Sequence, residues 1–342
     1  MSATSEPLGP TGGLPAGAPG SGMPSGGPGS GSGMPTLAAD PLRRARPSNL
    51  WRDTLANILR QRSAIVGLFI LTILVLTAIF APIIATHDPN ASMLQAHEQG
   101  AVKRSPPCIH ILGCPADKPQ HLLGLDGNFR DLFSRVVYGA RISLGIGITS
   151  VALAILIGSL IGAIAGYVGG WADNILMRIM DVILAFPSLL LAIVIVATLG
   201  RNLFNALLAI GIVAIPVYAR VARASVLSVR ESDFVTASRA LGESGPGILL
   251  RRILPNSLTP LVVQGTLGIG GAVLEIAALT FVGVAGSLDV PEWGSMISVE
   301  SQQLFNAPHV ILVPGLAITL TVLGFNLLGD GLRDALDPRL NR

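Results

Sequence analysis

Apolar residues gather along the chain into six runs, at positions 64–85, 142–167, 180–199, 203–218, 262–284 and 310–328. Charged, glycine-rich or proline-rich stretches separate them. At 1.5 Å per residue, about twenty residues cross a hydrocarbon layer of ~30 Å, so most of the runs are long enough to span one as helices. The fourth reaches that length only when residues 219–221 are added. Inside a bilayer a helix satisfies its own backbone hydrogen bonds, so the pattern predicts an all-α, polytopic membrane protein with six transmembrane helices.

The longest charged interruption in the second half, residues 229–256, has a helical pattern of its own. Phe234, Ala237, Ala240 and Leu241 recur at helical spacing, and so do Leu249, Leu250, Ile253 and Leu254. Between the two sets Gly242, Gly245 and Gly247 loosen the backbone, and Pro246 is suited to the first turn of a new helix. Arg230, Arg239, Arg251 and Arg252 add charge. The stretch is predicted to be a helical hairpin with an apolar face, held between spans and suited to contact with another protein.

Composition supports the membrane reading: 50% of the 342 residues are hydrophobic, 13% are charged, and the mean hydropathy is +0.63. The net charge of +3 does not point to nucleic acid, because the arginines lie between the spans. With six spans both termini share a side. Placing them in the cytoplasm puts 16 of the 23 Lys and Arg residues there and leaves seven outside, which selects that orientation. The expected organisation is a Gly/Pro/Ser-rich disordered tail at 1–41, an arginine-bearing cytoplasmic juxtamembrane segment at 42–63, a first span at 64–86 and an external segment at 87–140. A transmembrane domain at 141–330 carries the cytoplasmic hairpin, and a cytoplasmic C-terminal segment at 331–342 ends the chain. The tail lacks the basic and apolar sequence of a secretory signal.

Polar chemistry is sparse. Cys108 and Cys114 lie in the external segment, where they are either disulfide-bonded or two free thiols. With His110 and His121 they offer thiolates and imidazoles, but the spacing does not match a paired-cysteine zinc site and no metal is expected. Asp126, Arg130 and Asp131 form an external charged cluster, read as a collar before the second span. Glu275 is the one acidic residue well inside a run, so it faces protein or an aqueous passage rather than lipid. Trp293 is expected to anchor a short external segment at the membrane interface. Pro187, Pro216 and Pro314 either kink helices or fit within the bundle. Gly158, Gly162 and Gly166 make a small-residue face for close helix contact, within the subunit or across a dimer. No phosphate-binding loop, metalloprotease motif or nucleophile elbow occurs, so no catalytic residue is assigned.

The hairpin carries a resemblance. Asp233-Phe-Val-Thr-Ala-Ser-Arg-Ala-Leu-Gly242, followed by Ile248-Leu-Leu-Arg-Arg-Ile-Leu-Pro-Asn256, resembles the signature loop of inner-membrane permeases in binding-protein-dependent ATP-binding-cassette importers. Their pattern is Glu-Ala-Ala, three residues, Gly, nine residues, Ile, any residue, Leu-Pro. Ala237, Gly242, Leu254 and Pro255 match it, while Thr236, Ser238 and Arg252 depart from it. The segment from His121 to Asp131 is similar to the dipeptide and oligopeptide group's His-Pro-Leu-Gly-Thr-Asp-x-x-Gly-Arg-Asp, with Phe129 where that pattern has glycine. Tyr138-Gly-Ala-Arg-Ile-Ser-Leu144, Val182-Ile-Leu-Ala-Phe-Pro187 and the ending from Gly324 to Pro338 extend the likeness to that group's second permease type.

The resemblance implies a type I importer permease fold and transport of dipeptides or oligopeptides. Nickel, glutathione or another small solute is the alternative cargo, and a membrane scaffold or passive channel the alternative of another class. It implies no cofactor in this chain, with ATP and Mg held by ATPase subunits. The implied partners are a second homologous permease, two ATP-binding-cassette ATPases and an extracytoplasmic peptide-binding protein, in a bacterial inner membrane. The residues implied in ATPase coupling are Phe234, Ala237, Arg239, Ala240, Leu241, Gly242, Pro246, Leu249, Leu254 and Pro255.

Overall fold

The computed structural model describes residues 61–92, 102–115, 120–286 and 289–336. The expected tail, nearly all of the juxtamembrane segment and positions 337–342 lie outside these. Helices make up the described architecture, and β-pairing among the described residues is limited to two isolated bridges, Cys108 with His121 and Leu125 with Asp131.

The chain runs through α1 (Arg62–Ile79), the short α2 (Ala81–Ile84), α3 (Leu132–Val168), α4 (Gly170–Leu184), α5 (Ser188–Leu199) and α6 (Leu203–Arg230). It continues with α7 (Asp233–Ala240), a helical segment α8 over residues 245–256, then α9 (Leu258–Phe281), α10 (Trp293–Glu300) and α11 (His309–Leu336). Five helices, α1, α3, α6, α9 and α11, are long and apolar enough to cross a membrane, and the bent pair α4–α5 makes a sixth span if counted as one.

That pair corrects the expectation of one continuous third span. Its two helices meet at 89°. Pro187 caps α5 and has no N–H to donate to the preceding turn, so the hydrogen-bond ladder stops there. Pro216 and Pro314, by contrast, sit inside unbroken helices and are buried.

Two helices outrun their apolar cores. The Asp131 carboxylate caps α3 by accepting from the Ser134 N–H at 2.8 Å, eleven residues before the apolar run begins. Asn202 caps α6 in the same way, accepting from the Asn205 N–H at 2.8 Å. Helix α6 then runs for 28 residues, about 42 Å, into the hairpin as one rod. Its polar last turns hide its length from hydropathy alone.

Glycine decides how α3 meets α6. A Cβ on Gly158 would stand 2.7 Å from the Ile215 carbonyl oxygen, and one on Gly166 would stand 3.0 Å from that of Arg223. A Cβ on Gly162 would collide with the Ala219 carbonyl oxygen. The stripe therefore serves a contact within the subunit. Around it Ala154, Ile210, Ala219, Leu261 and Ile276 close a core shared by α3, α6 and α9. On the other side Gly67 lets α1 lie against α11, where its Cβ would be 2.7 Å from the Leu328 nitrogen.

Trp293 also differs from expectation. It is fully buried, its Nε1–H donates to the Val136 carbonyl at 3.0 Å, and Gly139 leaves room for the ring. The start of α10 is thus pinned into the bundle. Glu292 beside it is buried and accepts from Thr280 Oγ1 at 2.6 Å, Ser143 Oγ at 3.1 Å and the Ser295 N–H at 2.9 Å. Cys108 and Cys114 are joined by a disulfide around a 3₁₀ turn at His110–Leu112.

Replacing Gly162 with valine is expected to cut the level of folded protein in the membrane several-fold, because overpacking a tight contact costs ~1–3 kcal/mol. Gly145→Ala, where a Cβ meets nothing within 4 Å, is expected to leave the level unchanged. Immunoblotting of membrane fractions measures both.

Candidate functional site: a helical hairpin and a buried charged cap

The hairpin is a firmly seated element with an apolar crest. Val235 of α7 and Ile248 and Ile253 of α8 are buried with Ala163 of α3 and Val226 of α6, and Tyr167 and Val229 pack against them. The Arg230 guanidinium donates to the carbonyls of Gly166 and Tyr167 at 3.1 and 3.2 Å. A cation placed there satisfies carbonyls at the end of α3 and suits its dipole.

The joint between the two short helices is a Schellman motif. Gly242 has φ +78°, its N–H donates to the Arg239 carbonyl at 3.0 Å, and the Glu243 N–H reaches back to the Ser238 carbonyl at 3.1 Å. Glycine takes this backbone without the strain that a side chain would add. Arg252 Nε then donates to Glu243 Oε2 at 3.2 Å across the joint. Pro246 occupies the first turn of α8, and Ile248–Ile253 forms a π-helical turn between single α-turns at Gly245–Gly247 and Leu254–Asn256.

With the inner face fixed, Phe234, Leu241 and Leu250 stand outward at 45%, 88% and 61% exposure. Ala237, Arg239, Ala240, Gly242, Pro246 and Pro255 are exposed with them. Leu249 and Leu254 lean inward instead, while Leu250 takes the outward place. A π turn closes over five residues, so a 3.6-residue count along α8 misassigns its faces.

Beside the hairpin's end of the bundle, an open cleft of about 740 Å³ lies between α4 and α6. Two ion pairs cross it, Arg223 with Asp173 and Arg220 with Asp181, and Arg178 and Trp171 complete its lining.

At the opposite end the charged cluster is an interior network rather than a solvated collar. Asp126, Arg130 and Asp131 are all buried. Asp126 accepts from Arg130 Nε at 2.8 Å and from the Arg130 and Asn128 N–H groups, each at 2.8 Å, and Arg135 Nε lies 3.6 Å away. Asp131 belongs to a second set, accepting from Ser134 Oγ at 2.6 Å and lying 3.1 Å from His121 Nδ1. Burial opposes its ionisation, but the hydrogen bonds from His121 and Ser134 outweigh burial and hold the carboxyl below its ordinary value. Glu300 ties in the far loops, accepting from the Gly127 N–H at 2.7 Å and from Arg104 Nε at 2.6 Å. Phe129 has φ +59°, which explains why glycine suits that position.

Glu275 is half-buried in α9, close to Ser188, the first residue of α5. Arg135, Glu292, Glu300 and Ser188 were not singled out by the sequence. Glu292, three positions before Ser295, is readable as a helix cap, but the long-range partners of Arg135 and Glu300 leave no local pattern.

Residues 155–342 match the family described as binding-protein-dependent transport system inner membrane component. Residues 49–107 match the N-terminal TM domain of oligopeptide transport permease C. The chain is 45% identical over 290 residues to the dipeptide transport system permease protein DppC of Alkalihalophilus pseudofirmus, covering 85% of this chain and 90% of that one. It is 41% identical over 290 residues to the glutathione transport system permease protein GsiD of Escherichia coli, covering 85% and 91%. A chain of the MetNI methionine ABC transporter, in inward-facing conformations, shares the fold with TM-score 0.50 and 21% identity, over 59% of this chain and 97% of that one.

Because Asp131 titrates below its ordinary value of 3.8, its contribution is present above that pH and is lost as pH falls through the folded value. Asp131→Ala is therefore expected to destabilise the purified protein by about 1–2 kcal/mol near neutrality. The difference from wild type should shrink in acid, as pH falls through the lowered folded value. Thermal unfolding at the two pH values measures it.

Proposed function

The chain belongs to the family of binding-protein-dependent transport system inner membrane components, and from that premise we propose that it is one permease subunit of an ATP-driven importer of dipeptides or oligopeptides. It forms half of the translocation pathway together with a second homologous permease. Two ATPase subunits hold ATP and Mg, and an extracytoplasmic binding protein delivers the peptide. The chain is a multi-pass membrane protein. The arginine distribution supports an inner-membrane orientation with both termini and the hairpin in the cytoplasm.

One observation carries the coupling role: the crest of Phe234, Leu241 and Leu250 is exposed on a hairpin whose opposite face is buried. An apolar crest flanked by arginines suits a groove on another protein, with buried contact supplying affinity and charge supplying register. Helix α6 joins the hairpin to the membrane as a single helix, so force on the crest reaches the spans without an intervening loop. The ion pairs between α6 and α4 pass the same displacement to the broken span. This chain makes and breaks no phosphate bond; its work is to change which side of the membrane the pathway opens to.

Glutathione is the second cargo reading, favoured by relatives at 41% identity that are named as glutathione permeases. It leaves the coupling account unchanged, because glutathione is itself a small peptide.

Gly242→Val forces a β-branched residue into φ +78° and so strains the joint's own backbone, while nothing from elsewhere in the protein lies within 4 Å of a Cβ there. The variant is expected to insert and assemble normally but to lower ATP-dependent peptide uptake about tenfold, with ATP hydrolysis persisting. Uptake and phosphate release by the reconstituted complex measure this. Unchanged uptake in a fully assembled complex would contradict the coupling role.

A further inference from the structure

Glu275 lies six residues before the end of α9, about 9 Å inside it along the helix axis. Its surroundings are open on one side. Ser188, its neighbour on α5, is exposed, and a Cβ on Gly271, one turn earlier in α9, would meet nothing within 4 Å. A carboxylate on a surface at this depth is not turned to lipid, where an unpaired charge is costly. Water or protein therefore covers this face.

The carboxylate is also unmatched. It takes part in none of the ion pairs among the described residues, and its neighbours are the Ser188 hydroxyl and, at electrostatic range, Tyr218. Ser188 opens α5 directly after the 89° break, where the first N–H groups of a helix lack intrahelical partners. A hydroxyl and a helix end hold a carboxylate in position without neutralising it. Transporter helices broken at membrane depth place binding groups at such a break. What remains to be supplied is a cation with N–H donors, the chemistry of a primary ammonium.

We propose that Glu275, positioned by Ser188 at the break between α4 and α5, is a station on the translocation path that binds the amino-terminal ammonium of a passing peptide. The assignment rests on the importer reading and adds to it the group of the cargo that this chain contacts. It predicts a preference that belongs to the permease and is separable from the selectivity of the binding protein.

The test uses the whole complex in membrane vesicles with one binding protein throughout, comparing uptake of dialanine with uptake of N-acetyl-dialanine. Glu275→Gln is expected to lower dialanine uptake about tenfold while N-acetyl-dialanine uptake changes little, so the ratio of the two collapses. Glu275→Asp is expected to restore most of the ratio. Equal loss for both peptides, with reduced co-purification of the second permease, would mean that Glu275 pairs with a fixed cation of that subunit and would overturn the assignment. An unchanged ratio with normal assembly would overturn it as well. A wild-type complex that takes up neither peptide would defeat the dipeptide reading and this assignment with it, whereas the importer reading would then rest on glutathione uptake.

Discussion

The close approach of α3 and α6 is the contact on which the rest of the structure depends. Backbone meets backbone along Gly158, Gly162 and Gly166, where no side chain larger than hydrogen fits without displacement. In hydrocarbon, two helices gain little from burying apolar area against each other, since lipid is equally apolar, so intimate packing has to supply the attraction. The same contact builds the floor of the hairpin, because Ala163 and Val226, one from each helix, form the surface on which Val235, Ile248 and Ile253 sit. Arg230 completes the joint by donating to carbonyls at the end of α3. The hairpin is thus an extension of the helix pair.

The two ends of the bundle spend polar groups differently. At the end away from the hairpin, Asp126, Arg130, Asp131, Arg135, Glu292 and Glu300 are buried and hydrogen-bonded, and Arg135, Glu292 and Glu300 reach groups far along the chain, an arrangement that fixes those loops. Removing one member of such a network leaves its partners buried and unmet, so it resists piecemeal change. At the hairpin end, the ion pairs of Asp173 and Asp181 with Arg223 and Arg220 border an open cleft and are more exposed. Exposed pairs hold weakly and rearrange readily, as a region that changes shape in each transport cycle requires. A rigid cap at one end and a compliant hairpin end agree with a subunit driven through its hairpin.

Much of this was legible in the chain, for identifiable reasons. Runs of twenty apolar residues and the spacing of Phe234, Ala237 and Leu241 report helices directly, because a bilayer and a 3.6-residue period impose those patterns. The break at Pro187 was not legible as a bend, since proline is equally at home in straight membrane helices, as Pro216 and Pro314 are here. The facing of Leu249 and Leu250 was hidden by the π turn. Trp293 reads as an interfacial anchor until Gly139, more than 150 positions earlier, is found to have made a slot for its ring. The Ser143 hydroxyl on Glu292 and the partners of Glu300 likewise come from far along the sequence, and only tertiary structure assembles them.

The central claim is that the hairpin crest is an inward-facing handle gripped by a separate ATPase. The most direct measurement labels Leu241→Cys with a membrane-impermeant maleimide in inside-out vesicles and in intact cells, with and without the ATPase subunits. The account predicts labelling only in inside-out vesicles, and strong protection once the ATPases are assembled. Labelling from the outside of intact cells, or labelling in inside-out vesicles that the ATPases leave unchanged, would contradict it.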